Sequence, residues 1–300
     1  MDTLLSVTWN VDPTLFTILG REIRWYGLFW VIGLMVAVYI VQKIFKKEDL
    51  PEKWFDSLFV YMIVGIIVGA RLGHCLFYDP QYYLAHPFEM LKVWEGGLAS
   101  HGGVIGILIA VWLYSRKITK QSMLWTLDRV MVPTGFTAAM IRFGNLMNHE
   151  IYGGPTDQPW GFRFIDNLYQ WMNGAEPIFT DPSHPTQIYE ALAYLVVFAV
   201  TMYMFWNTSA KDRKGLITGV GIIIIFLFRF FVEFIKNAQD KEGFDTRMIE
   251  LTGLNIGQWL SIPFVIWGLW LVITALRKPA VVADTPKQSQ MFKPKQRKKK

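Results

Sequence analysis

LITGVGIIIIFLFRFFVEFI, residues 216–235, decides the fold of this chain. Within it stand a single cation, Arg229, and a single anion, Glu233. A helix rises about 1.5 Å per residue, so a run of this length spans roughly 30 Å, the thickness of a bilayer core. Arg229 and Glu233 are i, i+4, and a helix lets them neutralise each other. A purely structural bridge and an arginine that binds an anion both fit that spacing.

Similar runs recur on either side. Spans are expected at about 25–41, 55–77, 98–114 and 124–147, at about 184–206 opened by HPTQIYE (184–190), and at 216–235 and 256–276. The expectation is an all-α polytopic membrane protein with about seven transmembrane helices. Composition agrees: 52% of the 300 residues are hydrophobic and only 18% are charged, against about a quarter charged in soluble domains. The fourth span is the weakest, because Asp128, Arg129, Pro133 and Arg142 interrupt it. A span that tolerates such residues faces other protein or a water-filled cavity.

The segments between the spans are also readable. Residues before Gly20 read as an amphipathic segment lying at the membrane interface, with Trp9, Leu15 and Phe16 as anchors. DPQYYLAHPFEMLKVWEGG (79–97) is aromatic and interfacial rather than spanning. Residues 148–184, rich in Gly, Pro, Asp and Trp, predict a folded extracytoplasmic loop with short elements. The integral membrane domain is therefore set at 1–278. The basic, low-complexity tail 279–300 has no packed-core pattern and is expected to be disordered.

A net charge of +6 does not imply nucleic acid, because the cations gather in links and in the tail. Lys43, Lys46, Lys47, Arg116, Lys117, Lys120, Lys211, Arg213 and Lys214 share one side with the tail. The other side holds few, among them Lys92, Arg163 and Arg247. The positive-inside rule then puts the C-terminus in the cytoplasm and the N-terminus outside. Cys75 is the single cysteine, which excludes an intrachain disulfide and a Cys-rich metal site. The N-terminus lacks the basic start of a signal peptide, so the first span is expected to be retained.

RFGNLMNHEIYGG (142–154) concentrates the polar chemistry. Arg142, Asn145 and His149 are i, i+3, i+7, so a helix reaching that far aligns them on one face. Arg in an apolar segment costs roughly 2.5–3.5 kcal/mol by insertion scales. Asn145, Asn148 and Glu150 surround it with amides and a carboxylate. Snorkelling by Arg142, with the Asn and Gly residues ending the helix, is the plainer alternative. His101, in GGLASHGG (96–103), suits proton transfer, though the glycines there equally suit helix packing. Tyr26 sits where an aromatic-belt residue is the default. Neither GxSxG, HExxH, a Walker loop nor a Rossmann glycine pattern is placed where it could work. Arginines, one histidine, carboxylates and amides at head-group level suit binding a phosphodiester and moving one proton.

At these residues the chain resembles the prolipoprotein diacylglyceryl transferase family, whose signature is roughly Gly-Arg-x-Gly-Asn-Phe-x-Asn-x-Glu-x-x-Gly. Further matches are RWYG (24–27), ARLGHCLFYD (70–79), SHGG (100–103), HPTQIYE and FRFFVEF (228–234). They follow family order across nearly the whole chain before the tail. Departures are Ile141 for Gly, Leu146 for Phe, and Ile225 where a Tyr is expected four before Arg229. They bear on helix packing and hydroxyl contacts.

The resemblance implies transfer of the diacylglyceryl group of phosphatidylglycerol to the lipobox cysteine in a prolipoprotein signal peptide. A thioether forms and glycerol phosphate leaves, without metal or cofactor, at the outer leaflet of a bacterial cytoplasmic (inner) membrane. It also implies His101 as base or proton relay. Arg142 and Arg229 would hold the phosphodiester, oriented by Asn145 and Glu150. Tyr26, Arg71, Asn148, Gly153 and Glu233 complete the expected lipid-binding set. A lipid or anion transporter would use the same arginines, but no internal repeat is evident. A non-catalytic scaffold would need no such cluster.

Overall fold

A computed structural model describes residues 6–236 and 244–291. In chain order it contains strands β1 (Val7–Thr8), β2 (Thr14–Ile18) and β3 (Arg21–Arg24), then helices α1 (Trp25–Lys47), α2 (Glu52–Phe77), α3 (Pro80–Ala85), α4 (Ser100–Tyr114) and α5 (Met123–Met147). Strand β4 (Phe162–Arg163) and α6 (Leu168–Met172) lie in the long loop. Then come α7 (Thr186–Asn207), α8 (Leu216–Val232), α9 (Phe244–Thr252), α10 (Ile256–Arg277) and α11 (Gln288–Met291).

Six helices among the described residues are long and apolar enough to cross a membrane. They are α1, α2, α7, α10, α4 with its π-turn extension to Thr119, and α8 with the turn to Ile235. The fold is that of an all-α polytopic membrane protein. Where seven spans were expected, α5 forms at the expected place and runs 25 residues, but it does not meet the apolar criterion. Its charge is the reason. Arg129 sends Nε and Nη2 to the Glu48 carboxylate, both at 2.7 Å, and lies 3.8 Å over the Trp125 ring. Such a paired, stacked guanidinium is tolerated where a bare one is not.

The N-terminal segment differs from its expectation. It forms strands: β1 pairs in parallel with β4, and β2 and β3 make an antiparallel hairpin. Trp9, half-buried, turns its indole N–H toward the protein. Its Nε1 donates to the Leu146 carbonyl at 3.0 Å and so satisfies one of the last carbonyls of α5.

The chain divides into two compact units, residues 1–39 with 130–280, and 40–129 with 281–300. In the first, Ala139, Met140, Ala191 and Tyr194 form a buried cluster, with Phe29, Phe143 and Ile225 packed against it. In the second, α2 and α4 meet through small residues. A Cβ on Gly69 would stand 2.4 Å from the Gly102 carbonyl oxygen, so only glycine permits that approach. Of the expected tail, the described part makes contacts within this unit. Lys287 Nζ donates to the Glu48 carbonyl at 2.8 Å, and the Ser289 hydroxyl donates to the Asp49 carboxylate at 2.5 Å. Residues 292–300 lie outside the described residues.

Candidate functional site

The polar nest sits where α5 stops. Met147 is the last helical residue, and His149 (φ 53°) and Ile151 (φ 60°) adopt the left-handed conformation. The expected alignment of Arg142, Asn145 and His149 therefore ends at Asn145. Instead, His149 Nε2 donates to the Val11 carbonyl at 2.9 Å, while Nδ1 accepts from the Ile165 amide at 3.1 Å. These partners fix the neutral tautomer, and burial pushes the imidazole below its ordinary pKa. His149 ties the loop to the N-terminal segment.

Arg142 is held from two sides. Its Nε lies 3.0 Å from Glu190 Oε2, and its Nη2 donates to Glu190 Oε1 at 3.4 Å. Its Nη1 donates to Asn145 Oδ1 at 3.0 Å. Tyr194, one turn beyond Glu190 on α7, is buried with Ala139, Met140 and Ala191. Glu190 is completely buried, and Lys236 Nζ approaches its Oε1 at 3.1 Å. A buried carboxylate between two cations is strongly held, because losing one partner leaves a bare charge at a cost of about 3–5 kcal/mol.

Glu150 continues the network. Its Oε1 accepts from Asn145 Nδ2 at 2.8 Å and from Asn148 Nδ2 at 3.3 Å, and its carbonyl accepts from Gln187 Nε2 at 2.7 Å. Tyr26 packs on Gly144. Gly153 acts through its backbone. It donates to the His184 carbonyl at 2.8 Å and bridges to Lys236, and a Cβ there would meet the Ile235 carbonyl oxygen at 2.6 Å. That approach delivers Lys236 to Glu190.

Arg229 and Glu233 make only a loose pair at 3.8 Å, and the Arg229 side chain is 38% exposed. Glu233 also faces Lys236 Nζ at 3.4 Å and accepts from Asn255 Nδ2 at 3.1 Å. The guanidinium of Arg229 is thus only partly committed to Glu233. The first unit thus gathers Arg142, Arg229 and Lys236 with Glu150, Glu190 and Glu233. Their formal charges cancel.

His101 and Arg71 belong to the second unit. The exposed His101 ring, in the first turn of α4, stacks on Tyr78 at 5.9 Å and meets Phe77 edge-on at 5.4 Å. Arg71 is only 4% exposed. Its Nε, Nη1 and Nη2 donate to the carbonyls of Met90, Gly96 and Glu89 at 3.0, 2.6 and 2.6 Å. This guanidinium, expected to contact phospholipid, instead clamps the loop that precedes α4.

Sequence reasoning overlooked Glu190, Tyr194, Lys236 and Asn255. A signal existed for two of them. Glu190 closes the HPTQIYE motif, and Lys236 stands three residues after Glu233.

Comparison with known proteins gives the family. The family profile for prolipoprotein diacylglyceryl transferase matches residues 13–274. A phosphatidylglycerol–prolipoprotein diacylglyceryl transferase of Porphyromonas gingivalis is 55% identical, covering 91% of this chain and 96% of the relative. Proteins of the same name from Bacteroides fragilis and Chloroherpeton thalassium are 44% and 43% identical, each over 93% of this chain and 98% and 97% of their own. With a profile match over most of its length and relatives this similar, the chain belongs to the prolipoprotein diacylglyceryl transferase family.

Proposed function

We infer that this enzyme transfers the diacylglyceryl group of phosphatidylglycerol to the thiol of a prolipoprotein lipobox cysteine. The cysteine S–H gives up its proton, and the thiolate attacks the glycerol carbon that carries the phosphoester oxygen. A C–S bond forms, the C–O bond breaks, and its electron pair leaves on glycerol phosphate. The nucleophile belongs to the substrate, so the enzyme needs none of its own.

The observation that carries the site assignment is the Glu190 carboxylate on the Nε–Nη2 edge of Arg142. It holds the plane of the guanidinium before any lipid arrives, and preorganised charge of this kind stabilises a leaving phosphate. Arg142 and the more exposed Arg229 bind the phosphodiester. Glu150, Asn145 and Asn148 orient Arg142, Tyr26 lines the same end of α5, and Glu233 holds Lys236. His101 takes or relays the thiol proton, since a free thiol near pKa 8.5 needs help at neutral pH. Gly153 and Arg71 act by shaping loops.

In the membrane, α5 crosses as a seventh helix whose charges face protein. Basic links support a cytoplasmic C-terminus, an external N-terminus and a site toward the outer leaflet of the inner membrane. The catalytic domain comprises 1–278, and residues 279–300 play no part in the chemistry.

Purified protein incubated with phosphatidylglycerol and a lipobox peptide tests this reading. Diacylglycerol mass added to the peptide cysteine is the expected result. Lipid movement between leaflets with unmodified peptide would mean a transporter, and neither outcome would mean a scaffold.

A further inference from the structure

Gly257 lies in the first turn of α10, in ordinary right-handed helix, where the backbone would accept an alanine. What a side chain there would meet is the Glu233 carboxylate. A Cβ on Gly257 would stand 2.7 Å from the carboxylate carbon and 2.9 and 3.0 Å from its oxygens. The carboxylate is thus seated against the bare α-carbon of the helix. Asn255, the N-cap of α10, secures it by donating from Nδ2 to Glu233 Oε2 at 3.1 Å. Asn255 is itself fixed by Gln258. Its Oδ1 accepts from the Gln258 amide at 2.8 Å, and its own amide donates to Gln258 Oε1 at 2.9 Å. The buried Gln258 also donates from Nε2 to the Phe230 carbonyl at 3.2 Å, which ties the start of α10 to the end of α8. The positive end of α10 favours an anion in this place. Glu233 Oε1 is left facing Lys236 at 3.4 Å and Arg229 at 3.8 Å.

A carboxylate free to swing would close on the guanidinium beside it, since a charge-assisted pair at hydrogen-bond distance is stronger than one at 3.8 Å. We propose that Gly257 is a positioning residue of the transfer reaction. By lacking a side chain it seats Glu233 on α10, which holds the carboxylate off Arg229 and leaves that guanidinium open to the phosphodiester. The proposal rests on the reading of Arg229 as a phosphodiester ligand. It also gives Asn255, which the reaction as written does not use, the task of securing that seat.

Gly257→Ala tests this with one methyl group. Glu233 can yield to it, because the atoms met are the far end of a flexible side chain, and alanine favours the helix. The full chain is assayed in micelles with a saturating lipobox peptide and phosphatidylglycerol varied. KM for the lipid should rise about fivefold or more with kcat within about twofold of the parent, at an unfolding temperature no lower than the parent's. Asn255→Asp approaches the same seat by charge. It keeps the capping oxygen for Gln258 but sets a second carboxylate against Glu233, and should raise KM in the same way. Should Gly257→Ala fold poorly, Asn255→Asp carries the test alone. Arg229→Ala runs in parallel. If Arg229→Ala is inactive or raises KM while both seat variants stay within about twofold of the parent, the Gly257 proposal alone is overturned. A fall in kcat with KM unchanged, or a KM rise that comes with a lower unfolding temperature in both variants, assigns Gly257 to helix packing and overturns it too. An unchanged KM in Arg229→Ala would remove the reading beneath it.

Discussion

Lys236 Nζ lies 3.1 Å from the same Glu190 oxygen that accepts from Arg142, so one buried carboxylate joins the end of α8 to the end of α5. Lys236 also reaches Glu233 at 3.4 Å. These are single-point contacts, for which charge matters more than shape. Lys236→Met should leave two carboxylates short of a partner and lower both the unfolding temperature and transfer, the latter by about tenfold or more. Lys236→Arg should stay within a few-fold of the parent. Comparing the two variants at equal membrane abundance checks this, and equal loss in both would argue against a charge role.

His149 gives the loop a pH dependence whose sign is fixed by its partners. Its native form is neutral, with Nδ1 accepting from the Ile165 amide, and burial lowers its pKa. The unfolded imidazole, near the ordinary 6.5, binds a proton more readily than the native one. This contribution to stability is therefore complete above about pH 6.5 and is lost as pH falls through the lowered native value. Hydrogen exchange in residues 148–184 should accelerate at pH 5 relative to pH 7.5. In His149→Gln that pH difference should shrink, and an unchanged difference would assign it to other groups.

Topology offers a third test. A reporter fused after Arg277 should be active in the cytoplasm, and one placed within residues 157–175 should report the outer side. The reverse pattern would move the whole site to the other leaflet.

How much of this was readable beforehand follows from range. Apolar runs of about 20 residues marked six helices, because crossing a bilayer is a local property of sequence. Helix α5 was legible as a helix, but the bidentate pairing that shelters Arg129 comes from Glu48, 81 residues away. The same limit hid the Glu190–Lys236 pair, whose members are 46 residues apart. β1 has two residues and finds its partner at Phe162, so it carries no periodicity to detect. His149 failed differently: its spacing was right, but its left-handed backbone ended the helix first. Arg71 was expected to meet phospholipid, but a sequence cannot tell a carbonyl from a phosphate as the acceptor of its fork.

Arg142 is where the site assignment stands or falls. Its guanidinium pairs with Glu190 through Nε and Nη2 and donates to Asn145 through Nη1. Only a planar group with five donors meets these partners and still turns an edge to a phosphate. An ammonium can keep the Glu190 contact or follow the lipid, but it cannot do both. Arg142→Lys should therefore insert and accumulate normally while losing transfer by about a hundredfold or more, near 2.7 kcal/mol in the barrier. A snorkelling cation predicts the opposite, since lysine reaches the interface equally well. Arg116→Lys, in the turn after α4, is the matched control and should be silent. Both variants would be assayed at equal membrane abundance with phosphatidylglycerol varied widely, so that weakened binding and slowed chemistry separate. Near-normal turnover by Arg142→Lys would return this residue to a membrane-anchoring role and leave Arg229 as the phosphate ligand to test.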